Sequence, residues 1–165
     1  MCRCLNSTLK PTSFQTILTK SIHFTHASTE QKMTALSQTH SELHRSCMDV
    51  LDRFMHALNA YDANAMDASM HFPHVRFAGG QIKIYPKAGD NPMDLFERLR
   101  REDNWKYSSW VSRGLVQCSE IKAHYALSYT RFRADDSVIG VYESLYVLTK
   151  VDDAWGIQMR SSFGP

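Results

Sequence analysis

Two histidines, His71 and His74, are the side chains whose type and spacing first point to chemistry, since they flank Phe72-Pro73. Histidine ligates metals and titrates near neutral pH, so the pair could hold a metal ion or supply a general acid or base. Residues three apart in an extended segment point to opposite sides, and no Asp, Glu or Cys directly flanks them. The sequence therefore predicts no metal site. Two roles for His74 stay open: a catalytic acid/base in a pocket, or an imidazole that hydrogen-bonds backbone where the second helix meets a strand.

Motifs for nucleotide binding and for activated nucleophiles do not occur in the sequence. There is no glycine-rich phosphate loop or dinucleotide fingerprint, and Gly79-Gly80 is typical of a hairpin turn. No nucleophile elbow supports Ser-His-Asp catalysis. We therefore expect no cofactor. The basic cluster Arg98, Arg100 and Arg101 is typical of a solvated helix face, and no apolar run approaches the roughly 18 residues of a membrane span, so we expect no nucleic-acid or membrane partner.

The positive charge of the chain belongs to its N-terminal segment. The 165 residues have a formal net charge of +2. Residues 1–40 hold four bases against Glu30 alone, which leaves 15 of the 19 bases and 16 of the 17 acids to residues 41–165. We expect residues 1–38 to be a disordered or targeting tail, rich in Ser and Thr, ahead of a single domain at 39–165. The apparent basicity therefore says nothing about an acidic partner for the domain.

The location of the protein depends on what that tail is. Residues 1–32 are either an organelle transit peptide or part of an extension ahead of a start at Met33. The four cysteines show no zinc-ligand spacing, which is typical of reduced thiols in a cytosol-like compartment. We expect a cytoplasmic protein, with organelle import as the alternative if the tail is a transit peptide.

The domain is predicted to begin with a long amphipathic helix. Thr39-His40-Ser41-Glu42 fits a capping box, in which the Thr and Glu side chains each satisfy a backbone N–H. Apolar residues then recur at spacings of three and four, which indicates one buried face: Leu43, Cys47, Val50, Leu51, Phe54 and Leu58.

Two shorter helices are predicted after it. Asp62 can cap a helix that runs through Met70, and Pro73 then forces the chain toward extended geometry. Asn91-Pro92 begins another helix that runs to about Glu102, with Asn as the cap and Pro at the first helical position.

The remainder of the domain has the period of two that is typical of strands. Val75–Phe77 and Gln81–Tyr85 are predicted to form a hairpin around Ala78-Gly79-Gly80. Four long strands rich in β-branched and aromatic residues follow: Trp110–Ser119, Ile121–Arg133, Val138–Lys150 and Ala154–Phe163. Because the connections are short, we expect neighbouring strands to be antiparallel. Helices followed by a meander predict an α+β fold with the helices on one face of a curved sheet.

Three local strings resemble a known superfamily. Phe54–Asp62, with the sequence FMHALNAYD, is similar to the first-helix signature of the nuclear transport factor 2-like superfamily. The strings at His71–Arg76 and Trp155–Phe163 resemble a SnoaL-like subgroup of uncharacterised small proteins. The resemblance implies a cystatin-like cone, in which three N-terminal helices pack in a strongly curved antiparallel sheet with a pocket at the open end. It also implies a homodimer through the outer sheet face.

The resemblance allows the known chemistry of the superfamily to be tested on this sequence. Ketosteroid isomerases use a carboxylate base and two acidic donors, and the matching positions here are Phe54, Phe77 and Ser144. None of these residues can carry the corresponding role, so steroid isomerisation by that mechanism is not expected. Inward carboxylates for the Asp-Arg-Asp group of the epoxide-hydrolase branch are also hard to find. SnoaL-like cyclases use an Asp or His acid/base, which here favours His74.

The predicted site is a mostly apolar pocket for a small apolar or aromatic molecule. Its expected lining is Phe54, Phe77, Trp110, Tyr142, Ser144, Tyr146, Met159 and Ser161. Cyclase, isomerase or dehydratase activity would use His74 or a pocket Tyr as the acid/base. The alternative is a non-catalytic homodimerisation or adaptor module with a filled core, because aromatic residues also dominate cores and interfaces.

Overall fold

The computed structural model describes residues 38, 40–90 and 94–164. The chain divides into two units, Met1–Ser41 and Glu42–Pro165. Of the first unit only residues 38, 40 and 41 are described, and all three are helical. The predicted tail at 1–38, apart from residue 38, the Thr of the capping box and the Asn91-Pro92 cap lie outside the described residues. No helix within the described ranges is long and apolar enough to cross a membrane.

The first helix, α1, is described through residues 40–60, and its buried face is the predicted one. It ends at Tyr61, which adopts a left-handed φ of 59°. The Tyr61 N–H donates to the Leu58 carbonyl and the Asp62 N–H to the Ala57 carbonyl, so the last carbonyls of the helix are satisfied as in a Schellman motif.

The second helix, α2 (Ala63–Asp67), begins at the predicted cap, since the Asp62 carboxylate accepts a hydrogen bond from the Ala65 N–H at 2.9 Å. It ends earlier than the predicted Met70. The Ser69 hydroxyl donates to the Met66 carbonyl, and the Ser69 carbonyl accepts from the Ile157 N–H. The chain therefore joins the sheet at Met70.

Strand β1 (Met70–Ala78) thus includes both His71 and the predicted site residue His74. It pairs with β2 (Gln81–Tyr85) as the predicted hairpin, and Gly79 and Gly80 have positive φ values of 58° and 72° in the turn. Such a turn follows the natural twist of the strands.

Helix α3 (Asp94–Asp103) matches the predicted third helix from its first described residue onward. Asn104, with φ of 52°, reverses the chain so that the next strand starts at Trp105, five residues before the predicted Trp110. The four long strands are otherwise close to the prediction: β3 (Trp105–Ser119), β4 (Lys122–Arg133), β5 (Val138–Val151) and β6 (Ala154–Ser162).

The strands form one curved sheet in the order β2-β1-β6-β5-β4-β3. All neighbours are antiparallel except β1 and β6, which run parallel, so the sheet is mixed. The predicted α+β fold of helices within a curved sheet is confirmed. The apolar face of α1 packs with residues of the inner sheet face, including Tyr125, Leu127, Leu148 and Ile157, in one core.

Candidate functional site

A cavity of about 400 Å³ lies between α1, α3 and the inner face of the sheet. The cavity is more polar than the mostly apolar pocket predicted from the sequence. Nine of its 19 lining residues are aromatic or aliphatic: Phe54, Met55, Leu58, Tyr85, Phe96, Trp105, Trp110, Tyr129 and Tyr146. The polar lining is mainly basic: Arg76, Lys83, Arg98, Arg101, Arg131 and Arg160, with Asp94, Glu97, Ser108 and Ser162. A cavity of this size can enclose a small molecule with one or two rings.

Three of these arginines come from the sheet itself. Arg76 and Arg160 are direct Cα partners in the parallel pair β1–β6, and Arg131 extends from β4. Arg131 and Arg160 are 5% and 7% exposed. Burial, and then the charge of Arg160, lower the pKa of Arg76. Charged groups this deep in a protein carry a desolvation cost that partners must offset.

His74 holds Arg160 in place from behind the cavity wall. It is fully buried, and its Nε2 accepts a hydrogen bond from Arg160 Nε at 3.0 Å. Because the guanidinium can only donate, Nδ1 must carry the proton that it donates to the Ile157 carbonyl at 2.9 Å. Burial, and then the charge of Arg160, lower the pKa of His74 to about 3. The imidazole is therefore neutral, and both nitrogens are occupied.

This geometry supports the second of the two roles left open for His74, a hydrogen bond to backbone. The residue does not line the cavity, and it has no nitrogen left for proton transfer to a molecule there. The imidazole instead bonds backbone beside the strand, as the structural alternative expected. His71 bonds elsewhere, with its Nδ1 2.9 Å from the Thr149 hydroxyl. Among the described residues, no group of three or more His, Cys, Asp or Glu is placed to hold a metal ion.

Arg131 lies among aromatic rings. Its guanidinium carbon is 4.6 Å from the centroid of the Tyr142 ring and 5.7 Å from that of Tyr129, which indicates cation–π contacts. The Arg131 Nη1 atom is buried and finds no hydrogen-bond acceptor among the described residues. The same is true of Nε1 of Trp110, whose ring meets Tyr129 edge-on at 6.1 Å.

Tyr146 is the most deeply buried phenol of the cavity wall. Its ring makes edge contacts with Phe54 at 6.0 Å and with Trp110 at 6.3 Å. Burial raises the pKa of Tyr146 to about 12, partly offset by Arg160. The phenol therefore stays protonated at neutral pH and can serve as a hydrogen-bond donor.

Five of the eight residues predicted to line the pocket lie on the inner sheet face or on α1. Phe54, Trp110 and Tyr146 line the cavity. Ser144 and Tyr142 lie one contact away: the Ser144 hydroxyl is 2.8 Å from that of Ser162, which lines the cavity, and Tyr142 stacks against Arg131.

The other three predicted residues lie on the outer face of the sheet, which faces away from the cavity: Phe77, Met159 and Ser161. Their neighbours Arg76, Arg160 and Ser162 are the residues that line it. On β6 the cause is a register shift against β5, where Val147 pairs with Met159 but Leu148 pairs with Ile157. A bulge of this kind reverses the alternation of a strand, so Ile157 and Arg160 both point inward.

Comparisons with known proteins agree on the fold. No protein-family model and no curated protein sequence matches this chain. A nuclear transport factor 2-like protein with a cystatin-like fold from Novosphingobium aromaticivorans superposes with a TM-score of 0.65 at 13% identity, over 78% of this chain and 86% of that one. A protein of unknown function of the same kind from Shewanella oneidensis gives 0.58 at 14%, over 73% and 98%.

A candidate ketosteroid isomerase from Shewanella frigidimarina gives a TM-score of 0.57 at 13% identity, over 71% of this chain and 94% of that one. Identities this low establish the fold alone. This chain has the nuclear transport factor 2-like, cystatin-like fold that its sequence resembles. The finer SnoaL-like assignment stays a prediction.

Proposed function

We propose that this protein binds a small aromatic molecule in the cavity between α1, α3 and the sheet. The observation that carries the proposal is the cavity itself, about 400 Å³ with walls that include Phe54, Trp105, Trp110 and Tyr146. Aromatic walls provide most of the binding free energy for a flat ligand, and the hydroxyl and guanidinium groups orient it. An adaptor with a filled core has less support, because such a core would leave no room of this size.

Binding also has more support than proton transfer. His74 has a pKa of about 3 and Tyr146 a pKa of about 12, so neither exchanges a proton readily near neutral pH. Among the described residues, Asp94 and Glu97 of α3 are the carboxylates of the lining. Cyclase, isomerase or dehydratase activity through a pocket Tyr remains the catalytic alternative, with Tyr146 as the acid.

Calorimetric titration with 2-naphthamide, a neutral two-ring probe, tests the proposal. We expect one site per chain with an affinity on the order of 0.1–1 mM, given about 0.3–0.4 kcal/mol per heavy atom. Met55→Trp places an indole in the cavity, because Met55 is buried in its wall, and should weaken binding about tenfold or more. Leu43→Met, in the same helix but away from the cavity, is the control. Equal binding by wild type and Met55→Trp would contradict the proposal.

We also propose that a second copy of the chain packs on the outer sheet face. Exposed apolar side chains occupy neighbouring positions across β2, β1, β6 and β5: Phe77, Ile82, Ile84, Leu145 and Met159. Apolar bands of this kind on a sheet are typical of interfaces, and the fold resemblance implies dimers through this face.

Light scattering behind a sizing column tests the homodimer. Ile84 is 62% exposed within the band, and Ile121 is 66% exposed in the β3–β4 turn outside it. We expect a dimer for wild type and for Ile121→Lys, and a monomer for Ile84→Lys, because a charge in an apolar interface is costly. A wild-type monomer at tens of micromolar would overturn this proposal.

A further inference from the structure

We propose that the ligand is an aromatic carboxylate, whose anionic group is held in the cavity by Arg131, Trp110 and Arg160. The inference rests on the proposed function, since it names the ligand class for the same cavity. It narrows the expectation of a small apolar or aromatic ligand, because the cavity has aromatic side chains in its wall while its polar groups are mainly cationic and donate hydrogen bonds.

Two buried donors of the wall carry the inference. Nη1 of Arg131 and Nε1 of Trp110 have no acceptor among the described residues, although both residues line the cavity. Both side chains also contact the ring of Tyr129, and Trp110 and Tyr129 are direct partners in the β3–β4 register. Buried donors are nearly always paired in proteins. Both atoms are buried, so the two side chains must turn toward the cavity before one acceptor group beside the Tyr129 ring can accept from both.

The charge of the cavity indicates that this acceptor is an anion. Six of its lining residues are basic and two are acidic, in a domain whose bases and acids nearly balance, 15 against 16. Arg98 and Arg101 already pair with Glu102 on α3, so the excess positive charge lies on the strand residues. Neither Arg131 nor Arg160 forms an ion pair with a described carboxylate. Because buried guanidinium groups need a counter-charge, a bound anion would stabilise them. His74 fixes the Nε side of Arg160 by a 3.0 Å hydrogen bond, so this guanidinium is oriented before the ligand arrives.

Shape and chemistry favour a carboxylate on an aromatic body. A guanidinium and an indole N–H are planar donors, and a carboxylate offers them two oxygens in one plane. The body of the ligand would lie against the rings of Phe54, Trp105 and Tyr146, which line the same cavity. The cation–π contacts of Arg131 with Tyr129 and Tyr142 hold its guanidinium plane against the wall.

A set of isosteric probes tests the inference by calorimetry at pH 7. The probes are 2-naphthoate, the neutral 2-naphthamide and 2-naphthyl phosphate. We expect naphthoate to bind about tenfold or more tightly than naphthamide, since one charged hydrogen bond is worth about this factor. Arg131→Met keeps an unbranched, though shorter, side chain and removes its charge, so it should remove most of the preference. Arg53→Met, at an exposed position of α1, should keep it.

Trp110→Phe provides a second variant in case Arg131→Met does not fold. It keeps an aromatic ring and removes the Nε1 donor, so it should weaken naphthoate several-fold and naphthamide less, because a hydrogen bond to a charged acceptor is the stronger. Binding of naphthoate and naphthamide with equal affinity would overturn the inference while leaving the proposed function intact. Tighter binding of the phosphate than of naphthoate would overturn the carboxylate assignment. Binding of none of the probes would overturn the proposed function itself.

Discussion

Replacing His74 by Phe removes two buried hydrogen bonds and keeps an aromatic ring at the site. The Ile157 carbonyl loses its donor, and the charged Arg160 loses the acceptor for its Nε. An unsatisfied buried carbonyl costs about 1–3 kcal/mol, and a hydrogen bond to a charged group about 1.5–3 kcal/mol. We therefore expect the free energy of unfolding to fall by about 3–5 kcal/mol at pH 8.

The same substitution should change how stability depends on pH. The pKa of His74 is lowered from 6.5 to about 3 in the folded protein, so between these values the unfolded chain binds a proton that the folded protein rejects. The stabilisation from this neutral imidazole is complete above pH 6.5 and is lost as the pH falls toward 3. By linkage, wild type loses about 2 kcal/mol from this group between pH 8 and pH 5. His74→Phe has no imidazole at this position and does not lose this stability. The difference in free energy of unfolding between wild type and the variant, called the stability gap below, is therefore smaller at pH 5 by the same amount.

Urea denaturation, followed by tryptophan fluorescence at both pH values, measures this gap. His56→Phe is the matched control, since His56 is exposed on α1, and its stability should stay within about 0.5 kcal/mol of wild type. The other titrating groups are present in both wild type and His74→Phe, so their effects cancel in the stability gap. One of these groups is His71, whose pKa is also lowered by burial. A gap below about 1 kcal/mol at pH 8, or one that does not narrow at pH 5, would refute the reasoning.

Two further substitutions test local packing by the same urea assay. Asp62→Ala removes the carboxylate that accepts from the Ala65 N–H, and should cost about 1 kcal/mol; no change would contradict the capping role. Gly156→Ala would put a Cβ 2.6 Å from Cδ2 of His71, so His71 must leave its contact with Thr149 at a cost of about 1–3 kcal/mol. In a His71→Ala background the same change should cost little, and an equal cost there would contradict the packing.

The order of elements was predictable because it depends on local signals. The apolar positions of α1 recur every three or four residues, and the packed core buries all six of them. Asp62 marks a helix cap because its carboxylate can accept from a backbone N–H. Gly79-Gly80 mark a turn because glycine, without a Cβ, adopts positive φ readily. The errors lie at the ends of elements, because a partner distant in sequence determines where a helix stops and a strand begins. At Met70, for example, the Ser69 carbonyl accepts a hydrogen bond from the Ile157 N–H, which brings the chain into the sheet.

The candidate site was only partly predictable, because it depends on which side of a strand each residue faces. Phe54 and Tyr146 follow from simple periodicity, whereas Met159 and Ser161 fail because the β5–β6 register shift reverses the alternation. The arginines were missed, since an Arg in a strand is usually taken as solvent-facing. The sequence did contain a signal for Arg131. It follows Tyr125, Leu127 and Tyr129 at intervals of two along β4, and all four side chains are buried in the structure.

The most direct test of the account is calorimetric titration of 2-naphthoate into wild type and into Met55→Trp. We expect one site per chain in wild type, and binding weakened about tenfold or more when the indole occupies the cavity. A binding isotherm that is the same for the two proteins, or no binding to wild type at millimolar probe, would contradict the claim that this cavity is the ligand site.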